Sequence, residues 1–80
     1  MTYFVIGNRS DPGTPATFVM GGPPQMPGWT RLWDEAYQFE TSDLAIAYLT
    51  VMADRRPANL QLYAVFEVTP PAPMVLIWPK

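Results

Sequence analysis

AYQFETSDLAIAYLTVMADRRPANLQLYAVFEV, residues 36–68, decides the fold. Its middle predicts a helix over about 42–56. Thr41 or Ser42 offers a side-chain oxygen to the free N–H groups of the first turn, and Asp43 suits the positive end of the helix dipole. Phe39 stands just upstream, where an apolar residue packs on the first turns. Leu44, Tyr48, Val51 and Met52 follow the i, i+4, i+7, i+8 spacing of a buried stripe, and Ile46 and Leu49 widen it. Asp43, Ala47, Thr50 and Asp54 form the opposite, solvent-facing row. Arg55 and Arg56 meet the negative end of the dipole, and Pro57 stops the helix. Beyond it, Leu60, Leu62, Ala64, Phe66 and Val68 alternate with Gln61, Tyr63, Val65 and Glu67, the period of a strand.

Working upstream, residues 29–39 also show a period of two. Trp29, Arg31, Trp33, Glu35, Tyr37 and Phe39 share one parity; Leu32, Asp34, Ala36, Gln38 and Glu40 take the other. A strand is expected here, with a helical turn or bulge between Leu32 and Tyr37 as the variant. GGPPQMPG, residues 21–28, holds three prolines. These remove donors and fix φ, so the segment is an exposed loop with Met26 at its tip. Residues 3–6 and 16–20 read as short strands, joined by the turn formers of residues 7–15. Downstream, TPPAP (residues 69–73) is a stiff spacer. MVLIW, with Met74 and Trp78 at its ends, is an edge strand of the same sheet or a strand added to a partner. The expected order is β-β-β-α-β-β. This is an α+β fold: a mostly antiparallel sheet of four to five strands with one helix on one face.

Eighty residues make one domain, residues 1–80, and a chain this short has a large surface relative to its core. Only 15% of the residues are charged, against about 25% in an ordinary globular domain. Some apolar surface is therefore expected to stay exposed, which favours a protein partner. The net charge of −2 and five cations argue against direct nucleic-acid binding. No segment reads as a leader or a membrane span, so the expected compartment is the cytoplasm.

The residue inventory bears on chemistry. There is no cysteine and no histidine. The commonest general base and the commonest metal ligands are thus missing. A serine nucleophile would need a lysine, and the only one is Lys80. Ser42 serves more simply at a helix start. No enzyme and no cofactor are expected. Asp34, Glu35, Glu40 and Asp43 admit three readings: solvated or capping acids, a carboxylate metal site, or one negative patch that engages a basic groove on a protein. Trp29 and Trp33 flank Arg31. They lie either under the helix as core or, one of them at least, at the surface as an interface anchor. The candidate partner-binding residues are thus Met26, Trp29, Arg31, Trp33, Asp34, Glu35, Glu40 and Asp43.

The pattern Ala36-x-x-Phe39-x-Thr41-x-x-x-Ala45, followed by a helix and an alternating strand, resembles small proteins encoded by phages and mobile elements. Several anti-CRISPR proteins look like this: short, acidic, free of cysteine, a small sheet with one helix. The likeness spans roughly residues 29–68 and carries no functional residue across. It implies a viral, non-enzymatic inhibitor that binds a host CRISPR effector complex and blocks target DNA or nuclease recruitment. The alternative is a small structural or accessory module that forms a homodimer through Met74 to Trp78.

Overall fold

The computed structural model describes residues 1–9, 17–20, 28–72 and 74–79, with the backbone alone for Trp33, Asn59 and Leu60. The turn over residues 10–15 and the proline loop with Met26 fall outside the described residues. Strands β1 (Tyr3–Asn8), β2 (Phe18–Met20) and β3 (Gly28–Thr30) come first. A 3-10 turn (Trp33–Glu35) leads to helix α1 (Ser42–Arg55). The short helix α2 (Asn59–Leu62) then runs directly into β4 (Tyr63–Val68), and β5 (Val75–Trp78) closes the fold. The sheet is antiparallel, in the order β3-β2-β1-β4-β5, so the expected α+β architecture is the one observed.

The pairing of β1 with β4 forms the centre. It runs from Tyr3 opposite Val68 to Asn8 opposite Tyr63. Asn8 ends this ladder and fastens the next one: its N–H donates to Thr17 O at 2.9 Å, and its Oδ1 accepts from Thr17 N at 3.0 Å. At the other end of β1, Phe4 exchanges two backbone hydrogen bonds with Phe39, at 2.9 and 2.8 Å. Phe39 is therefore pinned to the sheet only two residues before the helix cap.

Both faces of the sheet are apolar. Ile6, Val19 and Val65 point to one side, where they pack with Phe39 and with Ala45, Leu49 and Met52 of α1. Val5, Phe18, Ala64, Phe66 and Val68 form the other side and pack with Ala36. Two-sided burial accounts for the consecutive buried apolar residues Val5–Ile6 of β1 and Ala64–Phe66 of β4.

The ends of α1 are the expected ones. Thr41 is the N-cap and accepts from Leu44 N at 3.2 Å. Arg56 caps the C-terminus in extended conformation, and Pro57 follows. The buried stripe differs from the expectation. Ala45, Leu49, Met52 and Ala53 are buried, whereas Leu44 is 54% and Val51 55% exposed. Of the expected stripe, Leu49 and Met52 are buried, and Ile46 and Tyr48 are half-buried. The two rows lie one residue, about 100°, apart and share the same spacing. Packing decides between them. Phe39 and Thr41 set the entry of the chain, and the small Ala45 and Ala53 let the helix backbone approach the sheet.

Two strand expectations are corrected. The strand over residues 29–39 ends at Thr30, because β2 supplies only the partners Phe18, Val19 and Met20. Past it, Leu32 N donates to Thr30 Oγ1 at 3.1 Å and Glu35 N to Leu32 O at 3.0 Å, which winds the chain into the 3-10 turn. The last strand before the spacer begins at Tyr63 rather than Leu60. Gln61 N and Leu62 N both donate to Ala58 O, at 2.9 and 3.0 Å, and hold residues 59–62 helical.

Candidate functional site

Trp29 sits in the middle of β3, opposite Val19 of β2. Paired residues share a face, so Trp29 belongs to the α1 side of the sheet. Its ring stacks on Tyr63 with centroids 4.6 Å apart and planes 24° from parallel. Tyr63 opens β4 and is paired with Asn8, so the register of the central strands places the aromatic that receives the indole. Trp29 nevertheless remains 46% exposed. One ring face is held by Tyr63 while a large share of the indole meets solvent. Exposed Leu62 immediately precedes Tyr63, and exposed Met20 is paired with Gly28 beside Trp29. A Cβ on Gly28 would stand 3.2 Å from Met20 Cγ, so glycine lets that side chain lie across the strand end.

The other candidate residues occupy two places. Arg31 is exposed just after β3, and Asp34 is exposed in the 3-10 turn. Glu35 lies in the same turn, and its Oε1 accepts from the buried Thr30 Oγ1 at 2.8 Å. That carboxylate therefore holds the turn against β3. The side chain of Trp33 lies outside the described residues, as does Met26. Glu40 and Asp43 are exposed on either side of the cap at Thr41. Glu40 also lines a shallow open groove of about 270 Å³ with Tyr37, Gln38, Phe39 and Leu44.

The four acids do not converge. Among the described residues no group of three acidic side chains is placed to hold a metal ion. Asp34 and Glu35 belong to the turn after β3, Glu40 and Asp43 to the start of α1.

The groove continues into an aromatic series. Tyr37 meets Phe39 edge-on at 4.7 Å, and Phe39 meets Tyr48 at 5.6 Å. Burial pushes the Tyr48 hydroxyl above its ordinary pKa; Arg55 pulls it down and Tyr37 adds to the rise. Burial likewise raises Tyr3.

Two surface features had no signal in the sequence. The Trp29–Tyr63 contact joins segments far apart in the chain and depends on strand register. The exposure of Leu44 and Val51 follows from a choice between two equally spaced helical rows. No family model matches the chain, and no curated protein or solved structure is detectably similar to it. Among the described residues no helix is long and apolar enough to cross a membrane.

Proposed function

We propose that this domain works by binding another protein, and that the half-exposed indole of Trp29, braced on Tyr63, is its anchor. The observation that carries this is the combination of exposure and immobility. An exposed aromatic usually loses rotamer freedom when it docks, and that loss weakens binding. Here the fold has already restricted the ring. Tryptophan and arginine are the residues that dominate interface energetics, and Arg31 follows two residues later. Exposed Leu62, next to Tyr63 in the chain, would add apolar contact area beside the stack.

The finer reading is a small inhibitor encoded by a phage or mobile element that occupies a CRISPR effector complex. It rests on the resemblance of the strand–helix–strand pattern, on the missing histidine and cysteine, and on exposed acids suited to a basic groove. Inhibition by occupancy needs one stable surface and no reacting group. The test uses a CRISPR-immune bacterial host challenged with the phage it targets. Expression of the wild-type chain restores plaque formation, and the purified chain shifts the purified effector complex on a native gel. Trp29→Ala abolishes both effects while the domain stays folded by circular dichroism. Unchanged immunity and an unshifted complex across the effector types tested would discard the inhibitor reading. A Trp29→Ala chain as active as wild type would discard the anchor.

A further inference from the structure

The outer face of α1 carries a second surface. Leu44, Tyr48, Val51 and Arg55 are spaced 4, 3 and 4 residues apart, the spacing of a helix–helix seam. Such a row has the signature of a core face, yet Leu44 and Val51 are more than half exposed, because the sheet is covered by the neighbouring row Ala45, Leu49, Met52 and Ala53. The seam is therefore regularly spaced, with exposed apolar side chains at Leu44 and Val51 on either side of the half-buried Tyr48.

Its charges say what fits it. Exposed Glu40 and Asp43 stand at the N-terminal end of α1, and exposed Arg55 and Arg56 at the C-terminal end. We infer that α1 packs antiparallel against α1 of a second copy of this chain, about a twofold axis passing between Ala47 and Tyr48. In that arrangement Leu44 lies opposite Val51 of the other copy, and Glu40, just before the extended cap at Thr41, comes near the helix end that carries Arg55. Each acidic end meets a basic end, and the two helix dipoles oppose. A parallel pairing would set Glu40 against Glu40 and Arg55 against Arg55. Exposed Ala47, beside the axis, is small enough for the helices to approach closely. The contact is isologous, so one surface supplies both halves.

The helix has 14 residues and is about 21 Å long, so the contact belongs to the small, transient class of interfaces. The dimer forms with rising concentration. It does not rest on the partner-binding reading, since Trp29 is outside the seam; a Trp29→Ala chain dimerises like wild type.

Sedimentation velocity over a concentration series up to about 1 mM reads the association, since transient contacts fall in the weak range of affinities. The expected mass rises from 9.0 kDa towards twice that value. Glu40→Arg alone and Arg55→Glu alone each weaken the dimer about tenfold, because the symmetry turns two attractive pairs repulsive at once. The double exchange E40R/R55E restores it. The chain lacks cysteine, so introduced thiols report cleanly. A mixture of L44C and V51C chains oxidises to the mixed dimer, while L44C alone stays uncrosslinked. All these positions are exposed, and circular dichroism checks that each variant keeps its helix. A strict monomer throughout the series overturns the inference. So does self-crosslinking of L44C, which would mean parallel helices. So does a dimer indifferent to both charge reversals but lost on Leu76→Lys, which would move the contact to the exposed edge strand β5.

Discussion

Thr30 and Glu35 are joined by a 2.8 Å hydrogen bond from a buried hydroxyl to an exposed carboxylate, and this bond turns the chain out of the sheet. Thr30 Oγ1 also accepts from Leu32 N, so one hydroxyl uses both its donor and its acceptor capacity within a single turn. The consequence reaches the proposed binding surface. Thr30 is the neighbour of Trp29, and a loosened turn loosens the end of β3. Thr30→Val keeps the shape of the side chain and removes both hydrogen bonds. It is expected to cost about 1–3 kcal/mol in urea unfolding, since Leu32 N loses its partner. Glu35→Gln keeps an acceptor oxygen and should stay within about 1 kcal/mol of wild type. Equal losses for the two variants would show that Thr30 acts through packing alone.

The stack of Trp29 on Tyr63 has its own signature. Removing the tyrosine ring by Tyr63→Leu takes away an aromatic contact worth about 0.5–1.5 kcal/mol beyond its buried area. The Trp29 emission should change as the indole gains freedom, read against a Trp29→Phe chain that isolates the other two tryptophans. A Tyr63→Leu chain with unchanged emission and stability would mean that the ring is held by other contacts.

Much of the fold was legible because its signals are local. The N-cap at Thr41, the stop at Pro57 and the alternation through Val68 need nothing beyond neighbouring residues. Of the two readings of residues 74–78, the edge strand of the same sheet is the one observed, as β5. What was illegible depends on contacts between distant segments. The strand through Trp29 ends at Thr30, where its partner β2 is short, and the helical turn that the sequence allowed between Leu32 and Tyr37 takes over at Trp33–Glu35. Alternation from Leu60 to Leu62 matched a strand, while the carbonyl of Ala58 held those residues in a helical turn. Of the candidate site residues, Trp29 proved exposed, but its brace Tyr63 was hidden by strand register. Exposed Glu35 ties β3 to the turn through Thr30, a bond that depends on the fold of the turn.

The rotation of α1 has a direct energetic test. Leu49 is fully buried against Ile6, Val19 and Val65, and Leu49→Ala should cost about 2–5 kcal/mol, the range for large-to-small changes in a packed core. Leu44→Ala, at an exposed position of the same helix, should cost less than about 1 kcal/mol in dilute solution, because alanine compensates with its helix propensity. Thermal unfolding separates the two. The reverse ranking would mean that Leu44, Tyr48 and Val51 face the sheet after all.

The cap at Thr41 deserves a matched pair of variants. Its hydroxyl accepts from Leu44 N, one of the helix-end donors with no partner in the helix itself. Thr41→Ala should cost about 1 kcal/mol, and Thr41→Asp should recover that loss, since the carboxylate accepts the same bond and favours the dipole. Helix content by circular dichroism and the urea midpoint follow both. If Thr41→Asp is no better than Thr41→Ala, Phe39 rather than the cap fixes where the helix begins.

Finally, stability should fall on the alkaline side for a reason located in two tyrosines. Burial raises the hydroxyls of Tyr3 and Tyr48 above 10.0, the value expected in the unfolded chain. Below that pH both folded and unfolded states keep these protons, and the two groups contribute no slope. As pH rises past it, the unfolded chain releases its protons first. Unfolding is then favoured progressively until the folded pKa values are passed. Tyr37 adds to the rise at Tyr48, while Arg55 offsets part of it. Urea midpoints measured from pH 8 to pH 11 should therefore be level at first and then decline, in the range where tyrosine titrates at about 10. The Tyr3→Phe/Tyr48→Phe double variant should show a shallower decline, since phenylalanine fills most of the same space without a proton to lose. An identical slope in the variant would place the alkaline loss elsewhere in the chain.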